Sequence, residues 1–163
     1  MKSNDQDGLN KLKELVEEVR ICMLCTRHRD HINSKPMSTS KVDPNGDIWF
    51  FTDELTEKVE QVESNPQVCL AYSDPSRNTY LSISGTAGIV HDQNKLQELW
   101  NPVLKAWFPA GLDTPNVALL KVSPDHAEYW DSSSSKMVVF FNAVKAAVTG
   151  DRYDEGDHGK INL

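Results

Sequence analysis

The chain has 163 residues, of which 39% are hydrophobic and 25% are charged, and its formal net charge is −7. A chain of this length can bury about 70% of its unfolded surface, so it needs no metal or disulfide to fold. Acidic residues are in excess and Lys and Arg form no run, which argues against a nucleic acid or an acidic membrane surface as partner.

Export and membrane insertion are also disfavoured. The longest apolar run, residues 137–141, is far shorter than the ~20 residues that cross a bilayer, and the first eight residues are polar. Three cysteines, an odd number, are typical of free thiols in a reducing compartment. The sequence therefore predicts a cytoplasmic protein.

The first half of the chain predicts two helices and three strands. Apolar residues at steps of three and four mark the first helix, and the turn Asp43-Pro44-Asn45-Gly46 separates two strands of a three-strand meander. The predicted elements are a helix over 8–20, strands over 21–26, 34–42 and 47–52 with a hairpin tip at 28–33, and a helix from Asp53 or Thr56 to about Ser64.

The second half predicts strands around one longer helical region. Gly85 and Gly88 mark points of bulge or close backbone approach, and Pro102 forces a kink or a restart of the helix. The predicted elements are strands over 68–73, 79–91, 117–122 and 127–130, a helix from Asp92, a segment over 137–148 that fits strand or helix, and an irregular polar tail over 151–163.

Six or seven strands joined by hairpins, with helices outside them, predict a mainly β protein of the α+β class, built as a partly open antiparallel barrel. No repeat or linker divides residues 1–163, so we expect a single domain with its core over about 9–150. A small barrel leaves little room inside, and a large ligand would lie on its rim or between two barrels.

The stretch CMLCTRHRDH, residues 22–31, carries two cysteines and two histidines, the ligand types of structural zinc sites. On a strand, Cys22 and Cys25 would point to opposite faces, and on a helix steps of three residues would spread the ligands around the cylinder. We therefore predict no metal site. Cys69, between apolar residues of a strand, is expected to be a small buried side chain.

A second constellation suits a phosphate. Lys35 and Lys58 supply cations, and hydroxyl groups follow at Ser38, Thr39, Thr52 and Thr56. A helix that begins near Thr56 adds backbone N–H groups at its positive end. An exposed strand followed by a capped helix would show the same residues, so the pattern alone leaves both interpretations open.

The order of several motifs closely resembles the pyridoxamine 5'-phosphate oxidase-like split-barrel flavoproteins, and among them the general stress protein group. The motifs are SKPMS, WFFTDELTEK, YLSISGTAGIV, ELWNPVLKAWFP and AEYWD. The resemblance covers about residues 9–150. It implies a six-stranded split barrel, a homodimer, and FMN bound where the two subunits meet, with FAD as an alternative.

The resemblance assigns roles to particular residues. Lys35 takes the place of an Arg that contacts the flavin phosphate, which keeps the charge but loses the bidentate fork. The other implied contacts are Pro36, Met37, Ser38, Thr39, Phe51 and Thr52 along the ring, Thr56 and Lys58 at the phosphate, Trp107 as a wall, and Trp130 from the second subunit.

Two departures from pyridoxamine phosphate oxidases bear on the substrate. The chain continues after Trp130 as DSSSSK, where those enzymes place an Arg and a His for the substrate phosphate, and Ser40 replaces a further basic residue although Lys41 follows it. We therefore expect a flavin-dependent oxidoreductase acting on another small molecule, or a protein that stores or senses flavin. A split barrel that has lost flavin or taken haem is a third hypothesis.

Trp100 and Trp107 lie seven residues apart, which on a continuous helix would place both on one face. Packing in the core or in a dimer explains such a pair as well as a ligand wall does. The five histidines are scattered and accompany no nucleophile in a known arrangement, so no catalytic residue is predicted.

Overall fold

A computed structural model of the chain describes residues 3–131 and 157–162. The helices are α1 (Ser3–Val19), α2 (Glu57–Ser64) and α3 (Gln93–Leu99), with short 3₁₀ helices at Pro102–Ala106 and Gly111–Asp113. The strands are β1 (Ile21–His28), β2 (His31–Ser38), β3 (Lys41–Val42), β4 (Ile48–Asp53), β5 (Gln67–Asp74), β6 (Thr79–Val90), β7 (Val117–Asp131) and β8 (Asp157–Asn162).

All strand pairs in the described residues are antiparallel, and they form one sheet in the order β2-β1-β5-β6-β7-β4-β3, with β8 added beside β7. The prediction of a mainly β antiparallel protein with outer helices is confirmed. The sequence patterns predict six or seven strands and the family resemblance implies six, whereas the sheet of the described residues has eight.

The predicted strand over 34–42 is two strands at opposite ends of the sheet. After β2, the N–H of Thr39 donates to the carbonyl of Arg20 at 2.9 Å, and the N–H of Ser40 donates to Trp49 in β4 at 2.8 Å. The backbone thus changes partner within two residues, and the predicted three-strand meander does not form. This crossing brings the end of β2 close to β4, where the candidate site lies.

The main core lies between the inner face of the sheet and α1. Leu12, Leu15 and Val16 of α1 are at most 1% exposed, as are Cys22 and Leu24 on the inner face of β1. The alternation along β1 places Cys22 inward and Cys25 outward, which confirms their predicted opposite orientation. Among the described residues no group of three or more potential ligands could hold a metal ion.

A second core covers the other face of β4. Trp49 and Phe51 pack there with Leu96, Phe108 and Leu119, so β4 is buried on both faces. The chain that supplies this cover restarts at Pro102 as a 3₁₀ helix, and Asn101 caps it by accepting from the N–H of Val103 at 3.0 Å. The restart places Trp100 and Trp107 on separate segments and not on one helical face.

The predicted strand pair over 117–122 and 127–130 is the single long strand β7. The register between β6 and β7 shifts at Ser84/Gly85, where Gly85 lies opposite Pro124. A bulge thus absorbs the segment that sequence reasoning interpreted as a turn. The prediction of a bulge is confirmed at Gly85 and wrong at Gly88, whose missing Cβ would have open space around it.

The remaining predictions concern the tail and the membrane. Residues 157–162 form β8 against β7, so the prediction of an irregular tail is wrong for that part. The segment over 137–148 lies outside the described residues. None of the described helices combines the length and the apolar character that crossing a bilayer requires.

Candidate functional site

An open cavity of about 250 Å³ lies where the end of β2, β4, the start of α2 and the 3₁₀ segment meet. Most of its wall is apolar, and Lys58 carries the one charge among the residues that line it in the described part of the chain. The lining residues are Ile21, Pro36, Met37, Ser38, Phe51, Lys58, Leu104, Trp107 and Phe108.

Aromatic rings form one side of this cavity. Phe51 is 7% exposed and is held by Trp100, edge to face with ring centroids 5.7 Å apart, and by Phe108 at 6.2 Å. Trp107, in contrast, is 66% exposed although it lines the cavity. A fixed aromatic floor with an exposed indole at the mouth suits a flat apolar ligand.

Lys58 is the charged residue of the described cavity wall. Its side chain is half-buried, and in the described residues no hydrogen bond or ion pair engages its ammonium group. Burial lowers the pKa of Lys58, nearby Lys35 lowers it further, and Asp53 partly opposes the change. A half-buried cation beside a second cation is stabilised when an anion binds.

Lys35 lies at the edge of the same region. Its ammonium is 3.4 Å from a carboxylate oxygen of Glu57, and both side chains are largely exposed. Such an exposed pair contributes little to stability, so an incoming anion can compete for Lys35 at low cost. Glu57 also accepts a hydrogen bond at 3.0 Å from Gln61 within α2.

Thr56 precedes α2 but does not cap it with its side chain. Its hydroxyl donates to the carbonyl of Asp53 at 2.8 Å, and among the described residues no side chain caps the first N–H groups of the helix. The first turn of α2 thus combines uncapped N–H groups with Lys58 and with the acidic residues Glu57 and Glu60.

Two predicted contact residues turn their hydroxyl groups toward the protein. Thr39 exchanges a hydrogen bond of 2.8 Å with the phenol of Tyr72, which is 2% exposed and whose pKa burial raises well above its usual range. Thr52 is 1% exposed and donates to the carbonyl of Asp53 at 3.4 Å. Neither residue lines the cavity.

Trp130 does not line the cavity of its own chain. It pairs with Tyr80 of β6, which in turn pairs with Ser73 of β5. Continued to β1 in the same register, this row ends at Ile21, which lines the cavity. At about 4.8 Å between neighbouring strands, Trp130 lies roughly 15 Å across the sheet from Ile21.

The structure brings six of the predicted site residues to the cavity, and they are Pro36, Met37, Ser38, Phe51, Lys58 and Trp107. Sequence reasoning did not select Ile21 or Leu104. The N–H groups of Trp107 and Phe108 donate to the carbonyl of Leu104 at 3.0 and 2.8 Å. Leu104 therefore lies one helical turn before these two cavity residues, and its spacing of three and four residues from them could have identified it from the sequence. Lys41 pairs with Glu98 at 2.6 Å and does not line the cavity.

Comparison with known proteins identifies the family. A family model described as "Pyridoxamine 5'-phosphate oxidase like" matches residues 7–154. The chain belongs to this family. The family predicted from the sequence motifs is therefore confirmed, and the cavity described above belongs to a pyridoxamine 5'-phosphate oxidase-like protein.

The proteins similar to this chain include general stress proteins. General stress protein 26 of Bacillus subtilis is 26% identical over 129 residues, which cover 75% of this chain and 87% of the relative. A Jannaschia sp. CCS1 structure assigned as general stress protein 26 is 27% identical with a TM-score of 0.74, covering 98% of this chain and 99% of that chain.

A third relative is named for its ligand. The general stress FMN/FAD binding protein of Xanthomonas citri is 29% identical, with a TM-score of 0.68, and the match covers 82% of this chain and 93% of that chain.

Proposed function

We propose that this protein binds FMN in the described cavity and is a flavin-dependent oxidoreductase that acts on a small molecule. The observation that carries the proposal is Lys58, an unpaired half-buried ammonium at the edge of an apolar, aromatic-lined cavity. Such a site suits a ligand with a flat ring at one end and a phosphate at the other. Family membership and the named FMN/FAD binding relative support the same ligand.

The residues present fit this group. Lys58, Lys35 and the uncapped start of α2 would hold the phosphate, and Pro36, Met37, Ser38 and Phe51 would contact the ring. Thr39 and Thr52 would contribute backbone contacts, because their hydroxyls already have protein partners. FAD is an alternative ligand for the same site.

A second copy of the chain would complete the site. The cavity is small for a cofactor of this size and is open, and next to it Val103 and Trp107 are 68% and 66% exposed. A homodimer would cover these apolar side chains and would let Trp130 of one chain approach the cavity of the other. A reducible small molecule would then enter beside the ring.

Bound flavin supplies the redox chemistry of such a protein by accepting and releasing electrons. The residues of this chain bind and orient it, and the apolar wall limits access of water to the ring. In the described residues the cavity wall includes no carboxylate and no histidine. The described residues thus offer position and charge at this site, and Lys58 is the one titratable group in the described wall.

The test compares FMN with riboflavin, which has the same ring and lacks the phosphate. Lys58→Ala should weaken FMN binding about tenfold or more, equivalent to at least ~1.4 kcal/mol, and should change riboflavin binding little. Fluorescence quenching titrations measure both dissociation constants. Lys13→Ala, which removes an exposed lysine of α1, is the matched control and should change neither.

Equal loss of FMN and riboflavin affinity would show that Lys58 does not contact the phosphate. A wild-type protein that shows no saturable binding of FMN or FAD would contradict the proposed function as a whole.

Flavin storage or sensing without turnover is the second candidate, and the absence of carboxylates and histidines from the described cavity wall favours it. Anaerobic mixing of the flavin-loaded protein with NADH or NADPH separates the two. Bleaching of the flavin absorption supports the oxidoreductase, and an unchanged spectrum with both supports storage.

A further inference from the structure

Two cysteines face each other on the outer side of the sheet. In the antiparallel pairing of β1 with β5, Cys25 lies directly opposite Cys69. Both thiols are free and both side chains are partly exposed, so the prediction that Cys69 is buried is wrong. Residues directly opposed in antiparallel strands have Cα atoms about 4.5–5.5 Å apart, within the 4.4–6.8 Å that a disulfide spans.

The surroundings of the two thiols are polar and leave them accessible. The sulfur of Cys25 is 2.9 Å from the hydroxyl of Ser34 on β2, and the sulfur of Cys69 is 3.7 Å from the hydroxyl of Ser82 on β6. Each thiol is thus turned toward a neighbouring strand. Rotation about χ1 of each cysteine would turn both sulfurs toward the space between β1 and β5.

Cys22 provides an internal contrast. It lies three residues before Cys25 but points into the core, where it is 1% exposed and burial raises the pKa of its thiol to about 12. A buried thiol of this kind stays protonated and inert. One face of β1 therefore carries an inert cysteine and the other a cysteine with a partner in reach.

We propose that Cys25 and Cys69 form a reversible dithiol–disulfide site that is oxidised by low-molecular-weight disulfides such as glutathione disulfide. This site is separate from the proposed flavin cavity, whose lining includes neither cysteine. Its oxidation requires no flavin.

The exchange balances as two thiolate attacks. The Cys25 thiolate attacks glutathione disulfide, forming a Cys25–glutathione bond and releasing one glutathione thiolate. The Cys69 thiolate then attacks the Cys25 sulfur, forming the Cys25–Cys69 bond and releasing the second glutathione thiolate. The protein is oxidised by two electrons and glutathione disulfide is reduced to two glutathione molecules, because the two protons of the cysteine thiols pass through solvent to the two released glutathione thiolates.

The experiment incubates the folded protein with glutathione disulfide and measures intact mass and linked peptides. Wild-type protein should lose the mass of two hydrogen atoms, yield a peptide linked through Cys25 and Cys69, and keep Cys22 as a free thiol. Dithiothreitol should restore all three thiols.

Cys69→Ser and Cys25→Ser are the matched variants. Each keeps one thiol of the pair and should retain a glutathione adduct on it, since no second thiol is present to displace the adduct. Circular dichroism checks that both variants fold.

Three results would overturn the proposal: glutathione adducts that persist on wild-type protein, three unmodified thiols after incubation, or disulfides that link two chains.

Discussion

Lys58 shows how one side chain can carry the interpretation of a site. Lys35 and Lys41 are cations of the same chain, but each has a carboxylate partner. The ammonium of Lys35 is 3.4 Å from Glu57, and that of Lys41 is 2.6 Å from Glu98. Lys58 has none in the described residues, and its surroundings penalise its charge. A half-buried charge without a partner is costly, and the cost is recovered when a ligand supplies the missing anion.

The pH dependence of binding follows from the same group. In the free protein the pKa of Lys58 lies below its ordinary value of 10.5 because burial and Lys35 disfavour the ammonium form. A bound phosphate favours that form, so FMN affinity should be greatest where Lys58 is protonated and should fall as pH rises through the lowered pKa.

The measurement is a series of dissociation constants upward from about pH 7.5, where a phosphate monoester with a second pKa of about 6 is fully ionised. Riboflavin controls for ionisation of the ring. In Lys58→Ala the FMN and riboflavin profiles should run parallel, and parallel profiles in the wild type would contradict the prediction.

At the level of elements, the bulge between β6 and β7 decides the path of the longest strand. Gly85 permits it because a Cβ at this position would lie 2.5 Å from the carbonyl oxygen of Ser123 and 3.0 Å from the Cα of Pro124. Both atoms belong to the backbone, so neither can move aside as a side chain would. The strand then continues to Trp130 and to the pairing with β8.

Gly85→Ala should therefore destabilise the fold by about 1–3 kcal/mol, since the added methyl group must displace backbone. Gly88→Ala is the matched control three residues along β6, where no atom lies within 4 Å of the added Cβ. That variant should be neutral or more stable by about 0.4–1 kcal/mol. Urea unfolding measures both, and equal free energies of unfolding would contradict this account of the bulge.

At the scale of the whole molecule, we propose that the flavin site is shared between two chains. Lys58 lines the cavity, and Trp130 does not line the cavity of its own chain. If Trp130 covers the flavin of a second copy, each site combines residues of both chains. A closed symmetric dimer would form two equivalent sites of this kind.

Mixing two variants tests this arrangement. Lys58→Ala and Trp130→Ala should each weaken FMN binding alone. In dimers that combine one chain of each, one site would carry both substitutions and the other would carry neither. Exchange of subunits should therefore produce a fraction of sites with wild-type FMN affinity, detected as a tight phase in the titration.

A mixture that binds no more tightly than its separate components would place both residues in one chain's site. A monomeric mass in solution for the flavin-loaded wild-type protein would contradict the dimer itself.

Much of this protein follows from sequence patterns that are local. Helical spacing from Leu9 to Val19, the turn at Asp43 to Gly46 and the aromatic run before Asp53 each depend on neighbours along the chain. The structure confirms a helix, a turn and a strand at these three places. The motif order was specific enough to indicate the family, and its phosphate constellation indicated Lys58.

Tertiary structure decided what depends on register and contact between distant segments. The N–H groups of Thr39 and Ser40 donate to the carbonyls of Arg20 and Trp49, and this change of partner divides the predicted strand in two. At Pro124, a bulge makes one continuous strand where the sequence suggested a break. Spacing along the chain cannot show that Lys58 has no partner among the described residues or that Cys25 lies opposite Cys69. Both depend on which strands become neighbours, and that choice is made by burial of whole faces of the sheet.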